Sequence, residues 1–216
     1  MTFERAMVIL FTKVAQTVIA ERFTHTFFDN DGNRVRKVFA YLFSVFIAIF
    51  VNLFFHKPIF NFLSIFLGLS AIALSYNGTI KRKCIFVFYI LAVSCLIDLV
   101  VSAFLIKPFG YDGYSAFVSI FALLLLHAAQ LITERFFGNN LGIELNNRYW
   151  LFIIASLLVC IITSIVIFMD KTVSSFSLSL VCGAFLLVNI IISYLMDDLV
   201  KSSQKALENQ ALRDQV

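Results

Sequence analysis

Six apolar stretches, each at least 18 residues long, lie between positions 38 and 196: 38–55, 59–76, 84–106, 115–133, 149–169 and 172–196. Asp98 is the single formal charge inside them. A bilayer core of about 30 Å is crossed by roughly 20 apolar residues in a helix, so these runs are long enough to span a membrane. A seventh candidate, 6–28, precedes them and is more polar. Membrane strands would alternate apolar and polar residues. These runs do not alternate, and lipid leaves backbone groups to pair within the helix itself. The sequence therefore predicts an all-α, polytopic bundle of seven transmembrane helices, and with 61% apolar residues it argues against a soluble core.

Basic residues mark the cytoplasmic side of short membrane loops. Arg34, Arg36 and Lys37, then Lys81, Arg82 and Lys83, then Arg135 and Arg148, and finally Lys201, Lys205 and Arg213 fall on one side if the helices alternate. The opposite side holds only Arg5, Lys57, Lys107 and Lys171. The expected protein thus crosses the cytoplasmic membrane several times, with its N-terminus outside and its C-terminus inside. Tyr149 and Trp150 suit an interfacial anchor. No cleavable signal peptide is visible around the first apolar run. Asn77-Gly78-Thr79 matches a glycosylation sequon but reads as a turn on the inner side. The net charge of +4 is spread over helix ends, which gives no nucleic-acid surface. Cys84, Cys95, Cys160 and Cys182 lack metal-ligand spacing and read as small apolar filler.

The loops are short. Lys107 to Tyr114 is the longest outer one, with Pro108, Gly110 and Gly113 expected to break helix there. An external ligand must then be read by the helices and their outer mouths, with Lys107, Phe109, Tyr111, Asp112 and Tyr114 as candidate recognition residues. Composition changes once, after Met196. Residues 1–196 read as the membrane sensor bundle, and 197–216 as the start of a cytoplasmic signalling or dimerisation helix. The second segment has no Gly or Pro and many good helix formers. The seventh helix is expected to run unbroken from about Val173 to at least Leu212, with Leu199, Val200, Ser203 and Leu207 on the signal-transmitting rod. A rod reaching Val216 suggests that something follows it.

Ionisable and amide side chains within membrane helices are expensive and mark function or interhelical bonding. Lys13, Thr17, Glu21 and His25 recur every four residues on the first helix. Ser94, Asp98 and Ser102 do so on the fourth; His127, Gln130 and Glu134 line the fifth; Asn189 and Ser193 lie on the seventh. Lys13 and Asp98 each lie about eight residues from the outer ends of their helices, about 12 Å deep at 1.5 Å per residue. Matched depth and opposite charge predict that they approach one another. Lys13, Glu21, Asp98, His127, Gln130 and Asn189 are the candidate ligand or coupling residues. A proton relay of His127 with Glu21 or Glu134 stands beside a purely structural reading. No metal is expected, since His127 lacks a second ligand at metal spacing.

The order of parts resembles the membrane sensor region of accessory-gene-regulator-type quorum-sensing histidine kinases, which carry a GHKL ATPase domain. The residues that carry the likeness are Phe27-Phe28 before a charged loop, Gly78-Thr79-Ile80-Lys81-Arg82-Lys83 opening the fourth helix, Ile97-Asp98-Leu99-Val100-Val101-Ser102, and Tyr149-Trp150. To these are added Tyr194-Leu195-Met196-Asp197 and Glu208-Asn209-Gln210-Ala211-Leu212-Arg213-Asp214-Gln215. In that family an acidic residue is common where Asp98 stands. The resemblance implies a peptide-pheromone ligand and a homodimer through the C-terminal helix. It implies ATP and a response regulator only through a kinase domain that this sequence lacks. No His follows Met196, so the phospho-accepting residue is absent and no catalysis is expected of the chain alone. A small transporter, or its substrate-binding subunit, remains the alternative, although no repeat or paired Gly/Pro breaks are seen. An intramembrane enzyme is a third reading; no HExxH, Gly-x-Ser-x-Gly or adjacent nucleophile and base supports it.

Overall fold

A computed structural model of the chain describes residues 3–28, 33–55, 58–110, 115–137, 147–169 and 181. Six helices fill them: α1 (Phe3–Phe27), α2 (Arg34–Phe54), α3 (Pro58–Ser75), α4 (Ile80–Val101), α5 (Ala116–Phe137) and α6 (Asn147–Met169). No strand occurs among the described residues. Three helical segments are long and apolar enough to cross a membrane: Arg34–Phe54, Ile80–Ile106 and Ala116–Arg135. Ile59–Ser75 and Ile154–Ile167 are shorter apolar segments. Among the described residues the protein is all-helical, and its long apolar helices make it a membrane protein. The expected seventh helix at 172–196 and its extension to Leu212 lie outside the described residues.

Short polar signals start the helices. Asn33 caps α2, its side-chain oxygen accepting from the Val35 amide at 3.0 Å. Thr79 caps α4 by accepting from the Arg82 amide at 3.4 Å. The turn before it uses Gly78, whose φ of 150° few other residues adopt. Ser115 accepts from the Val118 amide at 3.3 Å at the head of α5. The α2–α3 hairpin packs closely because Gly68 has no side chain; a Cβ there would collide with Ser44.

The expected helix break at Lys107–Pro108 is corrected. The helix does not stop before the proline. It passes from α4 into a π-helical segment, Ser102–Ile106, and then a final turn, Lys107–Phe109. A proline inside a regular helix clashes with the carbonyl four residues earlier and supplies no N–H. The wider π register accommodates it. Gly110, at φ 66°, then ends the helix in the left-handed conformation, its N–H bonded to the Ile106 carbonyl at 2.9 Å.

α4 is the centre of the bundle. It packs against α1, α3, α5 and α6, and α1 also packs against α2 and α5. In its most apolar window 61% of the residues are buried, against 11% for α2, which is also apolar enough to span a membrane. On α2 the exposed large apolar side chains are Val35, Val38, Phe39, Leu42, Phe43, Phe46, Phe50 and Phe54, a face suited to lipid. The main core runs beside α4, from Phe23, Phe27 and Phe28 through Ile72, Tyr76 and Phe86 to Leu91, Leu126 and Leu157. A smaller cluster, Leu99, Ala103 and Cys160, joins α4 to α6.

Candidate functional site: an interhelical cavity with opposed charges

A cavity of about 110 Å³ opens among α1, α2, α3, α4 and α5. Lys13, Gln16 and Thr17 reach it from α1, Ser44 from α2, Asn61 from α3, and Ser94 and Asp98 from α4. Ile65, Leu69, Ile90, Ile97 and Leu126 complete its walls, so polar groups converge in an apolar setting. It lies toward the end of the bundle that holds the α2–α3 turn, since Asn52 and Asn61 are each about one turn from it.

Two amides organise the cationic side. Lys13 is buried, and its ammonium donates to Gln16 Oε1 at 3.2 Å and to Asn61 Oδ1 at 3.4 Å. Asn61 Oδ1 also accepts from Asn52 Nδ2 at 2.9 Å, and that same amide donates to the Ala48 carbonyl at 2.8 Å. α1, α2 and α3 are thereby tied through one carbonyl oxygen. An ammonium has three protons to donate, and Lys13 directs two of them at these oxygens.

Asp98 stands across from this group. Its neighbours Ile97 and Leu99 are buried, while its own side chain is exposed and lines the cavity. Lys13 and Asp98 act on each other electrostatically, yet neither an ion pair nor a hydrogen bond to the Asp98 carboxylate occurs among the described residues. The structure therefore brings the two predicted charges to one cavity and leaves them apart within it. Moving one such charge to the centre of a membrane helix costs about 2.5–3.5 kcal/mol on insertion scales, so an arrangement that leaves the carboxylate without a donor is costly.

The other expected stripes divide. Thr17 and Ser94 line the cavity with the charges. Glu21 and His25 are exposed and lie outside it. Ser102 is half-buried at the start of the π segment; its N–H reaches the carbonyls of Asp98 and Leu99. His127 is half-buried and does not reach the cavity. Gln130 is buried and donates to Glu134 Oε2 at 2.8 Å within α5. Phe109 is exposed in the last turn that Lys107 begins. Tyr111, Asp112, Tyr114, Asn189, Leu199, Val200, Ser203 and Leu207 lie outside the described residues.

A second polar layer closes the opposite end. The hydroxyls of Thr24, Tyr41 and Tyr76 form a triangle with sides of 3.3, 3.1 and 3.0 Å. Thr24 also donates to the Glu21 carbonyl at 2.6 Å, so the two tyrosine protons serve the triangle. Phe28 stacks on Tyr76 at 5.4 Å, and the Lys37 ammonium sits 4.2 Å from the centre of the same ring. Phe27 and Phe28 meet Phe86 edge-on at 5.6 and 5.2 Å. Sequence reasoning singled out none of Gln16, Asn52, Asn61, Thr24, Tyr41 or Tyr76 as site residues. The signal for Asn52 and Asn61 was present: each is an amide interrupting an otherwise apolar run. No protein-family model, curated protein or solved structure matches the chain.

Proposed function

We propose that this chain is the membrane-embedded sensor region of a two-component histidine kinase, and that the cavity is where an external signal becomes a change in helix packing. The signal is a small peptide pheromone arriving at the mouth formed by the Lys107–Tyr114 segment. The last helix carries the change to a cytoplasmic kinase domain, which would supply ATP binding and the contact with a response regulator. The N-terminus lies outside, the C-terminus lies in the cytoplasm, and the C-terminal helix pairs two copies.

One observation carries this reading: a lysine and an aspartate share one cavity inside the bundle without forming an ion pair. Five helices meet there, so a shift of either charge is felt by all of them. A ligand changes packing only through unequal affinity for two arrangements, and a coupling free energy of about 1–3 kcal/mol is enough. A small transporter is the second reading, because polar cavities also serve as substrate sites. The packed layer of Thr24, Phe28, Tyr76 and Phe86 beneath the cavity favours the sensor, since a transported solute would have to pass it.

The test joins this region to a dimerising kinase. External peptide should alter kinase output, and inserting one to four residues after Leu199, which turns a helix by about 100° per residue, should make output vary with the rotation. Output that ignores the insertions, together with solute uptake by cells carrying the chain, would replace the sensor with the transporter.

A further inference from the structure

The cavity also specifies a ligand of its own, independent of whether a peptide reaches the mouth. We propose that it binds a zwitterion of the size of glycine or alanine, with the ammonium on Asp98 and the carboxylate on the Lys13 side.

Charge complementarity is the first argument. The cavity holds one cation and one anion that do not meet. A ligand with a single charge would leave a net charge inside the bundle, where it is costly. A zwitterion aligned against the pair leaves none.

Unused hydrogen-bonding capacity is the second argument. The Asp98 carboxylate accepts no hydrogen bond among the described residues, although it can take several. Lys13 has one donor beyond those aimed at Gln16 and Asn61. Ser44 and Ser94, both on the cavity wall, make no side-chain hydrogen bond among the described residues. An acceptor is thus open on α4, and donors are open on α1, α2 and α4. An ammonium and a carboxylate together would use them.

Size is the third argument. A volume of about 110 Å³, against the roughly 10–15 Å³ that one water needs on the same measure, has room for several waters or one small organic molecule. Glycine and alanine fit within it. The wall residues Ala48 and Ala122 set the limit, because a larger side chain at either would fill the space.

The experiment uses the full chain in lipid nanodiscs and follows thermal unfolding and calorimetric titration with glycine, alanine, leucine, ethylamine and acetate. Glycine or alanine should bind saturably and raise the unfolding temperature. Leucine, ethylamine, acetate, and ethylamine with acetate should not. Asp98→Asn and Lys13→Met should each weaken binding at least tenfold. Ala122→Leu keeps both charges and should abolish binding by occupying the volume, so it decides the matter if a charge variant fails to fold. Absence of saturable binding by glycine and alanine would mean that the cavity holds water only and would overturn the proposal. So would wild-type affinity in Asp98→Asn or Ala122→Leu. The sensor reading is scored separately: kinase output that responds to peptide while glycine and alanine fail to bind would leave that reading standing and remove this one.

Discussion

The bundle contains two polar layers, and they are built on opposite plans. The Thr24–Tyr41–Tyr76 triangle is neutral, compact and self-satisfied, with each hydroxyl proton directed at an acceptor. Aromatic rings seal it. The Lys13–Asp98 layer is charged, open around a cavity, and leaves a carboxylate without a donor. A polar network that serves only stability uses up its own capacity, because every unmet group costs free energy away from water. Capacity left over, in a place where it is expensive, is what a binding or switching site requires. The difference between the layers separates their roles: the triangle fixes helix positions, and the cavity is the candidate binding or switching site.

Five substitutions, one of them in a double variant, sharpen or break this contrast. The largest effect belongs to Phe86→Ala in the sealed layer. Phe86 is fully buried against Phe27 and Phe28, and its loss should cost about 3–5 kcal/mol, read by unfolding in mixed micelles. A loss under about 1 kcal/mol would show that the layer is not a packed seal. Next comes Lys13→Met, which leaves Asp98 without its counter-charge and should cost about 3 kcal/mol. Adding Asp98→Leu should recover most of that loss, because an apolar pair replaces an imperfect charged one. If the double variant is as unstable as the sum of the single ones, the charges are structural and the contrast fails.

Tyr76→Phe should cost about 1 kcal/mol, the scale of one interhelical hydrogen bond in lipid. Hydrogen exchange should rise where α1 meets α2, at the residues around Thr24 and Tyr41. An effect as large as that of Lys13→Met would mean that the triangle, too, carries more than its hydrogen bonds. Smallest of all is Glu21→Gln. Its side chain is exposed and outside the cavity, so both stability and ligand response should stay within about 0.5 kcal/mol of wild type. A marked change in response would restore Glu21 to the functional set.

Several of these features are legible in the sequence. The membrane class follows from the length of the apolar runs, and the start of α4 from Gly78 and Thr79. Lys13 and Asp98, matched by their positions along α1 and α4, line one cavity. The rotation of each helix about its axis is harder to read. In a soluble bundle the apolar stripe reveals the inner face, but lipid is as apolar as the core. α4 shows no apolar stripe although it is central, and in α2 the small and polar face, with Lys37, Ala40, Ala48 and Asn52, is the one that turns inward. The phenylalanines of α2 that look like core residues face outward. Asn52 and Asn61 meet because the α2–α3 hairpin packs closely at Gly68, a close approach that apolar patterning does not report. Glu21, four residues from Thr17, left the expected stripe because a real helix drifts off a strict four-residue repeat, by about 40° at each step. Pro108 marked the right neighbourhood for a helix end but not its form, since the π segment that carries the helix past it, Ser102–Ile106, has no local sequence signature.

The most direct test compares the two layers in one assay. In the kinase chimera, Asp98→Asn and Tyr76→Phe each change one polar group with little change of volume. The account predicts that Asp98→Asn shifts the ligand concentration for half-maximal output at least fivefold, the lower end of a coupling of about 1–3 kcal/mol, while Tyr76→Phe leaves it within twofold. A wild-type response in Asp98→Asn, with a shifted response in Tyr76→Phe, would contradict it.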